Sequence, residues 1–226
     1  MLSSFKPELI LLDLDGTLID SVPDLATAID AMMGALGRPP CGEEAVRNWV
    51  GNGVQRLVER ALSGSLDGQP DQATYAQAYP LFMTEYAARN CHRSTLYPGV
   101  YEGLQALHRH GYRLGCVTNK ATRFTVPLLA QFKLGDFFSI LICGDTLPEH
   151  KPSPLPLLHA AQTLSVTPEH CLMVGDSIND VQAARAAGFR VVCMSYGYNH
   201  GNDIRDAHPD AVLDSLTELE PLLHER

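Results

Sequence analysis

Short apolar runs recur along this chain, and each ends in glycine or in polar residues. Six of them have the length of a strand: ELILLDLDG, YRLGCVTN, FSILICGD, HCLMVGDS, FRVVCM and DAVLDS. Such runs predict strands buried on both faces of a sheet. Helical patterns lie between them, at 101–110, 122–132, 154–164, 178–187 and 216–223. This alternation predicts an α/β fold, with a Rossmann-like three-layer core and a mainly parallel sheet.

One long segment has no strand pattern. Between residues 22 and 90, apolar residues recur at helical spacing in four stretches, DLATAIDAMMGALG, EEAVRNWV, VQRLVERAL and TYAQAYPLFMTEYAA. We therefore predict an all-helical domain at 21–94, inserted after the first strand of an α/β core formed by 1–20 and 95–226. Gly37 is expected to end the first helix of the insertion, and Pro80 to kink or divide the last.

Charge and composition exclude several classes of partner. The 226 residues are 45% hydrophobic and 19% charged, as in ordinary globular proteins. The net charge of −9 repels a polyanion, which disfavours nucleic acid. No apolar run approaches the ~20 residues of a membrane span, and the first residues lack a signal-peptide pattern. We expect a cytoplasmic protein that is a monomer or small homo-oligomer, with no nucleic-acid or membrane partner.

The six cysteines are scattered without a CxxC pair, and four lie inside apolar strand-like runs. We interpret them as reduced residues of the core. A zinc site is the rival interpretation, but no two cysteines have the spacing of zinc ligands.

Polar residues follow the ends of the first four predicted strands. In open parallel sheets, ligands bind outside the carboxyl ends of the strands, where the crossover loops converge. Lys151 adds a positive charge before the helix that leads into the fourth strand. The strand-end residues are Asp13, Asp15, Gly16 and Thr17 after the first strand, Thr118, Asn119 and Lys120 after the second, Gly144 and Asp145 after the third, and Gly175, Asp176 and Ser177 after the fourth.

These residues resemble, in order, the four motifs of the haloacid-dehalogenase-like hydrolase superfamily. Asp13-Leu14-Asp15-Gly16-Thr17 is similar to the first motif, Thr118 to the second, Lys151 to the third, and the run GDSIND at 175–180 to the fourth. All four occur in the right order on the right strand ends. The resemblance implies a phosphatase in which the helical insertion is a cap over the active site.

The resemblance also implies the roles of the acidic residues. Ionised Asp13 would attack phosphorus and form an aspartyl-phosphate, which water then cleaves. Asp15 would protonate the leaving oxygen and later deprotonate the attacking water. Mg²⁺ would be bound by Asp13, by the backbone carbonyl of Asp15 and by Asp176. Asp180 would not bind the metal directly but would contact the metal-bound waters or Lys151.

The remaining motif residues are implied to bind phosphate. Thr118 and the backbone amide of Asn119 would hold phosphate oxygens, with Gly16 and Thr17 in the same binding set. Lys151 would neutralise charge on phosphorus and keep Asp13 ionised.

Each of these residues has a structural alternative. Taken alone, Thr118 would be an ordinary strand-end residue and Lys151 a solvated loop lysine. Asp176 or Ser177 could instead cap the helix that starts near Ile178. Ser177 or Asn179 is expected to serve capping or loop structure, while Lys120 and Asp145 have no motif support.

The reaction class follows from what the motifs retain. Haloacid dehalogenases lack the second acidic residue, so Asp15 argues against dehalogenation. Phosphonate-cleaving members use a cap lysine, and residues 22–90 contain none. A phosphomutase would retain all four motifs. A binding protein without turnover would usually lose a catalytic carboxylate, and none is missing here.

Five further segments resemble bacterial phosphoglycolate phosphatases: WVGNG at 49–53, VTNK at 117–120, KPSP at 151–154, YGYNHG at 196–201 and PDAV at 209–212. Leu14 departs from the phenylalanine usual between the first two aspartates. Arg56 is a candidate for binding a substrate carboxylate, although an exposed helix arginine fits equally, and His200 is ambiguous. WVGNG fits either a specificity loop or a flexible helix stop.

The resulting hypothesis is a small phosphorylated metabolite as substrate, with hydrolysis of 2-phosphoglycolate to glycolate and phosphate. A sugar-phosphate phosphatase or phosphomutase, a pyrophosphatase and a non-catalytic binding protein are the alternatives.

Overall fold

The centre of the protein is a six-stranded sheet, seen in a computed structural model that describes residues 5–224. The strand order is β5-β4-β1-β6-β7-β8, and every neighbouring pair is parallel. The six predicted strands are therefore confirmed. The strands of the chain are β1 (Leu9–Leu12), β2 (Ile19–Asp20), β3 (Thr95–Leu96), β4 (Arg113–Val117), β5 (Phe138–Ile142), β6 (Cys171–Gly175), β7 (Arg190–Met194) and β8 (Ala211–Leu213).

Helices cover both faces of this sheet. Successive side chains of a strand point to opposite faces. Accordingly, Ile10 and Leu12 of β1 belong to one buried cluster, and Leu9 and Leu11 to another. Helices α5, α6 and α9 contribute to the first cluster, α7 and α8 to the second, which confirms the three layers. These helices are α5 (Val100–Arg109), α6 (Thr122–Gln131), α7 (Leu155–Thr163), α8 (Ile178–Ala187) and α9 (Leu219–His224).

The segment between β2 and β3 contains four helices around a third buried cluster. Gly37 has φ of +68° just beyond the first helix, as expected for a helix end. Pro80 does not divide the last helix, which runs on past it, so the expected division is wrong. The buried residues Ala78 and Phe82 flank Pro80 on this cluster, so packing supports the helix past the proline. The helices are α1 (Val22–Ala35), α2 (Glu43–Trp49), α3 (Gly53–Ser63) and α4 (Gln72–Arg89).

A short antiparallel pair of strands lies where the chain leaves and re-enters the α/β part. Ile19 of β2 pairs with Leu96 of β3, and Asp20 pairs with Thr95. Two-residue strands are too short to give a periodic sequence signal. The division into a core at 1–20 and 95–226 and a domain at 21–94 stays a prediction.

Two further observations concern the described residues. All six cysteines are free, and Cys116, Cys143, Cys171 and Cys193 are buried. Across residues 5–224, every helix is either too short or too polar to span a bilayer.

Candidate active site

The loop after β1 places two aspartates on either side of a buried leucine. The Asp13 amide donates to the Val174 carbonyl at 2.9 Å, which continues the pairing of β1 with β6. Leu14 is fully buried in the core. Asp13 and Asp15 instead line one pocket above the ends of the strands.

Lys151 joins the first and fourth motifs. Its ammonium lies 2.9 Å from Asp13 Oδ1 and 2.7 Å from Asp180 Oδ1, and it donates to the Val117 carbonyl at 2.8 Å. An ammonium has three N–H groups, so these acceptors use all of them. Lys151 is only 1% exposed, which excludes the solvated loop lysine.

Asp176 faces the first motif and does not cap α8. Thr17 Oγ1 donates to its Oδ1 at 2.7 Å, and the Tyr198 amide donates to its Oδ2 at 2.7 Å. Ser177 is the N-cap residue of α8, and Asp180 Oδ2 accepts from the Ser177 amide and hydroxyl. The fourth motif therefore divides capping and site-building between neighbouring residues.

Two glycines make room for the Asp176 carboxylate. A Cβ at either Gly16 or Gly197 would overlap the Asp176 side chain. Gly16 also has φ of +87°, a conformation that disfavours other residues. The glycine of the first motif thus lets the turn after β1 approach the fourth motif closely.

Three carboxylates meet at the centre of the site. Oxygens of Asp13, Asp176 and Asp180 lie within 4.8 Å of one another. Burial raises the pKa of Asp13 to about 7; Lys151 opposes this rise and Asp180 adds to it. Burial also raises the pKa of Asp176 well above its usual value, with repulsion from Asp180 and Asp13. This set of hard oxygen donors with uncompensated negative charge fits a divalent cation such as Mg²⁺.

The loop after β4 lies beside these carboxylates. Thr118 and Asn119 line the same pocket as Asp13 and Asp15. The Asn119 side chain also braces the loop that carries Lys151: its Oδ1 accepts from the Lys151 amide at 3.0 Å, and its Nδ2 donates to the Lys151 carbonyl at 2.8 Å. The structure thus brings the second and third motifs together.

Lys120 belongs to the pocket, although it has no motif support in the sequence. Its side chain is 2% exposed, and its ammonium lies 3.1 Å from both carboxylate oxygens of Asp15. Burial alone would lower the pKa of Lys120, but Asp15 and Tyr86 raise it above the ordinary value. A lysine after a strand usually extends into solvent. The one sequence signal for a buried Lys120 is the excess of acidic residues, such as Asp15, at the neighbouring strand ends.

The helical segment closes the other side of the pocket. Its lining there consists of apolar side chains and backbone: Leu25, Val50, Gly51, Gly53, Val54 and Leu57. We call residues 50–52, between α2 and α3, the pocket loop. The Gly51 carbonyl accepts from Asn119 Nδ2 at 2.9 Å, and Asn52 Nδ2 donates to Asn179 Oδ1 at 3.2 Å. The WVGNG segment is therefore both a helix stop and part of the pocket wall.

Three ambiguous residues have structural partners. Arg56 is not among the described residues lining the pocket; its guanidinium donates to the carbonyls of Leu66 and Gly68 and pairs with Glu59. These contacts hold the turn after α3, so Arg56 is not placed to bind a substrate carboxylate. His200 Nδ1 donates to the Asn48 carbonyl at 2.9 Å. Asp145 accepts hydrogen bonds from Thr122 at the start of α6.

Comparison with known proteins gives consistent matches. Residues 7–188 match the family model described as haloacid dehalogenase-like hydrolase. A phosphoglycolate phosphatase of Nitrosococcus oceani is 58% identical over 218 residues, covering 96% of this chain and 97% of that protein. Another, from Pseudomonas putida, is 52% identical over 216 residues, covering 95% of this chain and 79% of that protein. The crystal structure of a predicted phosphoglycolate phosphatase from Haemophilus somnus has a TM-score of 0.91 and 35% sequence identity. The match covers 97% of this chain and 99% of that chain.

Proposed function

The chain belongs to the haloacid dehalogenase-like hydrolase family, and on this premise we propose that it hydrolyses 2-phosphoglycolate to glycolate and phosphate. Phosphatase chemistry is supported chiefly by one observation, the meeting of Asp13, Lys151, Asp176 and Asp180 above the sheet. The substrate is supported by relatives at 47–58% identity that are named phosphoglycolate phosphatase.

Asp13 is the nucleophile in this proposal. Its Oδ1 accepts from the Leu14 amide at 2.7 Å and pairs with Lys151. Within residues 5–224, its Oδ2 has no hydrogen-bond partner, so this oxygen is available to attack phosphorus. Lys151 favours the ionised carboxylate that attack requires. The attack breaks the bond from phosphorus to the ester oxygen and leaves phosphate on Asp13.

Asp15 acts as the general acid and then as the general base. It lines the same pocket as Asp13, and its Oδ1 accepts from the Ser21 hydroxyl. In the first step it gives a proton to the departing glycolate oxygen. In the second it takes a proton from the water that cleaves the aspartyl-phosphate. Thr118 and the Asn119 amide bind the phosphate oxygens during both steps.

Magnesium is part of the proposal. When bound, Mg²⁺ would supply positive charge that offsets the negative charge of the carboxylates and of the phosphate. Asp13 and Asp176 would hold it, together with the backbone carbonyl of Asp15. Asp180 would not need to bind the metal directly, because one of its oxygens contacts Lys151 and the other the start of α8.

We propose that residues 21–94 form a cap that opens for substrate and closes during reaction. The apolar wall from Leu25, Val50, Val54 and Leu57 would exclude water from the aspartyl-phosphate. Contacts of the pocket loop with Asn119 and Asn179 would hold the closed state. Such closure favours small metabolites over phosphoproteins. A cytoplasmic location and a monomeric or small homo-oligomeric state stay predictions.

A substrate panel tests the proposal. Purified enzyme with Mg²⁺ is assayed for phosphate release from 2-phosphoglycolate, sugar phosphates, nucleotides and pyrophosphate, and we expect the highest kcat/KM for 2-phosphoglycolate. A lower rank for 2-phosphoglycolate would reject the substrate, and interconversion of sugar-phosphate isomers without phosphate release would indicate a mutase. The Asp13→Asn variant is the control, and it should lose turnover by about 10⁴-fold or more while retaining its fold.

A further inference from the structure

We propose that Lys120 binds the carboxylate of the substrate and thereby selects phosphate esters of small hydroxy acids. The inference rests on the proposed function, because it concerns the part of 2-phosphoglycolate that does not react. It replaces Arg56, whose guanidinium is committed to the turn after α3.

The first argument concerns charge. A substrate carboxylate that enters a closed pocket loses water and needs a charged or hydrogen-bonding partner. Lys120 is the single basic residue among the described residues that line the pocket. The nearby Lys151 already contacts Asp13, Asp180 and the Val117 carbonyl. The facing wall of the cap provides only apolar side chains and glycine backbone.

The second argument concerns position. Asp15 must reach the leaving oxygen to protonate it, and in 2-phosphoglycolate a single methylene group joins that oxygen to the carboxylate. The Lys120 ammonium lies 3.1 Å from both oxygens of Asp15. It is therefore placed on the leaving-group side of the pocket, within reach of a carboxylate that follows the leaving oxygen.

The third argument concerns the capacity of the ammonium. Within residues 5–224, both acceptors at hydrogen-bond distance from the Lys120 ammonium belong to Asp15. Tyr86 is its other neighbour, but the Tyr86 hydroxyl has no hydrogen-bond partner in that part of the chain, so one of the three N–H groups can turn to a ligand. At 3.1 Å these contacts are longer than the 2.7–2.9 Å typical of charge-assisted bonds. Lys120 can thus hold Asp15 and a second carboxylate together.

The lysine is also held rigidly from both sides of the pocket. Its amide donates to Thr118 Oγ1 at 3.2 Å, and its carbonyl accepts from the Gly144 amide at 2.9 Å. Its ammonium lies 5.1 Å from the ring centroid of Tyr86, which belongs to α4. Tyr86 in turn packs against Phe124 of the core. A preorganised cation of this kind binds its anion with little loss of side-chain entropy.

The experiment compares two substrates in two variants. Lys120→Met and Lys120→Gln are assayed with 2-phosphoglycolate and with 2-hydroxyethyl phosphate, in which a hydroxymethyl group replaces the carboxylate. We expect kcat/KM for 2-phosphoglycolate to fall roughly ten- to hundredfold further than kcat/KM for 2-hydroxyethyl phosphate, the range for a hydrogen bond to a charged group. Lys6→Met, at an exposed lysine, is the control and should not change the ratio.

The outcomes separate three possibilities. An equal loss on both substrates would overturn the inference, because it would mean that Lys120 acts only through Asp15. Wild-type enzyme that prefers other phosphate esters over 2-phosphoglycolate would reject the proposed function instead. Should Lys120→Met fail to fold by circular dichroism, the ratio for Lys120→Gln decides, since glutamine keeps the hydrogen-bonding ability but not the charge.

Discussion

The carboxylate of Asp176 is fixed by what surrounds it at atomic distance. Two hydrogen bonds hold its oxygens, and Gly16 and Gly197 leave the space that it occupies. Gly197 has ordinary backbone geometry for any residue, unlike Gly16 with its positive φ. Gly197 is therefore the position where added volume can be tested without added backbone strain.

Gly197→Ala should displace Asp176 and weaken Mg²⁺ binding. We expect the Mg²⁺ concentration for half-maximal activity to rise at least about tenfold, and the free energy of unfolding to fall by about 1–3 kcal/mol from overpacking. Mg²⁺ titration of activity and urea unfolding measure the two effects.

Gly34→Ala is the matched control, because no atom lies within 4 Å of the added Cβ in α1. It should be neutral or stabilise by up to about 1 kcal/mol. Unchanged Mg²⁺ dependence in Gly197→Ala would show that the Asp176 carboxylate does not need this space.

The meeting of the site residues in space was predictable where several motifs agreed. Asp13, Thr118, Lys151 and Asp176 were expected to meet, and the structure brings them together. Lys120 was missed because its burial depends on Asp15, far away in the sequence. The partners of Arg56 were not predictable, because an arginine beside a glycine loop gives no indication of the backbone carbonyls that fold back onto it.

At the scale of elements, the pocket loop depends on a buried arginine of α3. Arg60 is 7% exposed and donates to the carbonyls of Trp49 and Leu66 and to Asn52 Oδ1. These contacts fix both ends of the loop that faces Asn119 and Asn179. The geometry of the pocket wall is thus set by a residue that is not itself among the described residues lining the pocket.

Arg60→Met should loosen this wall. The Trp49 carbonyl and Asn52 Oδ1 lose their donor, while the Leu66 carbonyl keeps the bond from Arg56, so we expect the free energy of unfolding to fall by about 2–4 kcal/mol. If the proposed function holds, KM for 2-phosphoglycolate should rise more than kcat falls, because the loop lines the pocket but carries none of the reacting groups of that proposal. Steady-state kinetics and urea unfolding test this, with Arg109→Met as the control at an exposed arginine. A fall in kcat at constant KM would contradict it.

The contact of His200 with the Asn48 carbonyl should respond to pH. Burial lowers the pKa of His200 below its usual value; its hydrogen bond to Asn48 opposes this and Arg60 adds to it. Below about pH 6.5 the unfolded chain takes up a proton that the folded protein resists, so stability falls on acidification.

His200→Asn removes that proton uptake, and asparagine tolerates the φ of +52° at this position. The melting temperature of the variant should fall less than that of the wild type between pH 7 and pH 5. His92→Asn, at an exposed histidine, is the control. Parallel pH profiles for wild type and His200→Asn would contradict the prediction.

Elements with long periodic patterns were predicted almost to their ends. The helix expected at 178–187 is α8, Ile178–Ala187. Sequence rules failed where contacts between residues far apart in the chain determine the structure. Pro80 lies inside one continuous helix. Strands β2 and β3 are two residues long and are defined by their pairing with each other.

For the whole molecule, the charge of the site should link the proposed metal binding to folding. Asp176 and Asp180 are buried and Asp13 is partly buried beside them, and among residues 5–224 Lys151 is the cation that contacts Asp13 and Asp180. A divalent cation would relieve their repulsion. Since Mg²⁺ would bind the folded state, it should also stabilise that state.

Removal of metal should therefore have two effects. Chelation with EDTA should abolish turnover, and added Mg²⁺ should restore it. Mg²⁺ at a hundredfold excess over its Kd should raise the free energy of unfolding by about 2.7 kcal/mol. In Asp176→Asn this stabilisation should largely disappear in thermal unfolding. Full turnover in protein shown to be metal-free would contradict the prediction.

The pairing of Ile19 with Leu96 has an evolutionary consequence. Paired strands lie about 4.7–4.9 Å apart, so the two chain crossings are neighbours in space. Residues 21–94 thus form one long connection between two paired strands. During evolution, that stretch could lengthen, shrink or be exchanged without reordering the six strands of the sheet. Under the proposed function, such a change would alter the pocket wall and leave the acidic residues after β1 and β6 in place.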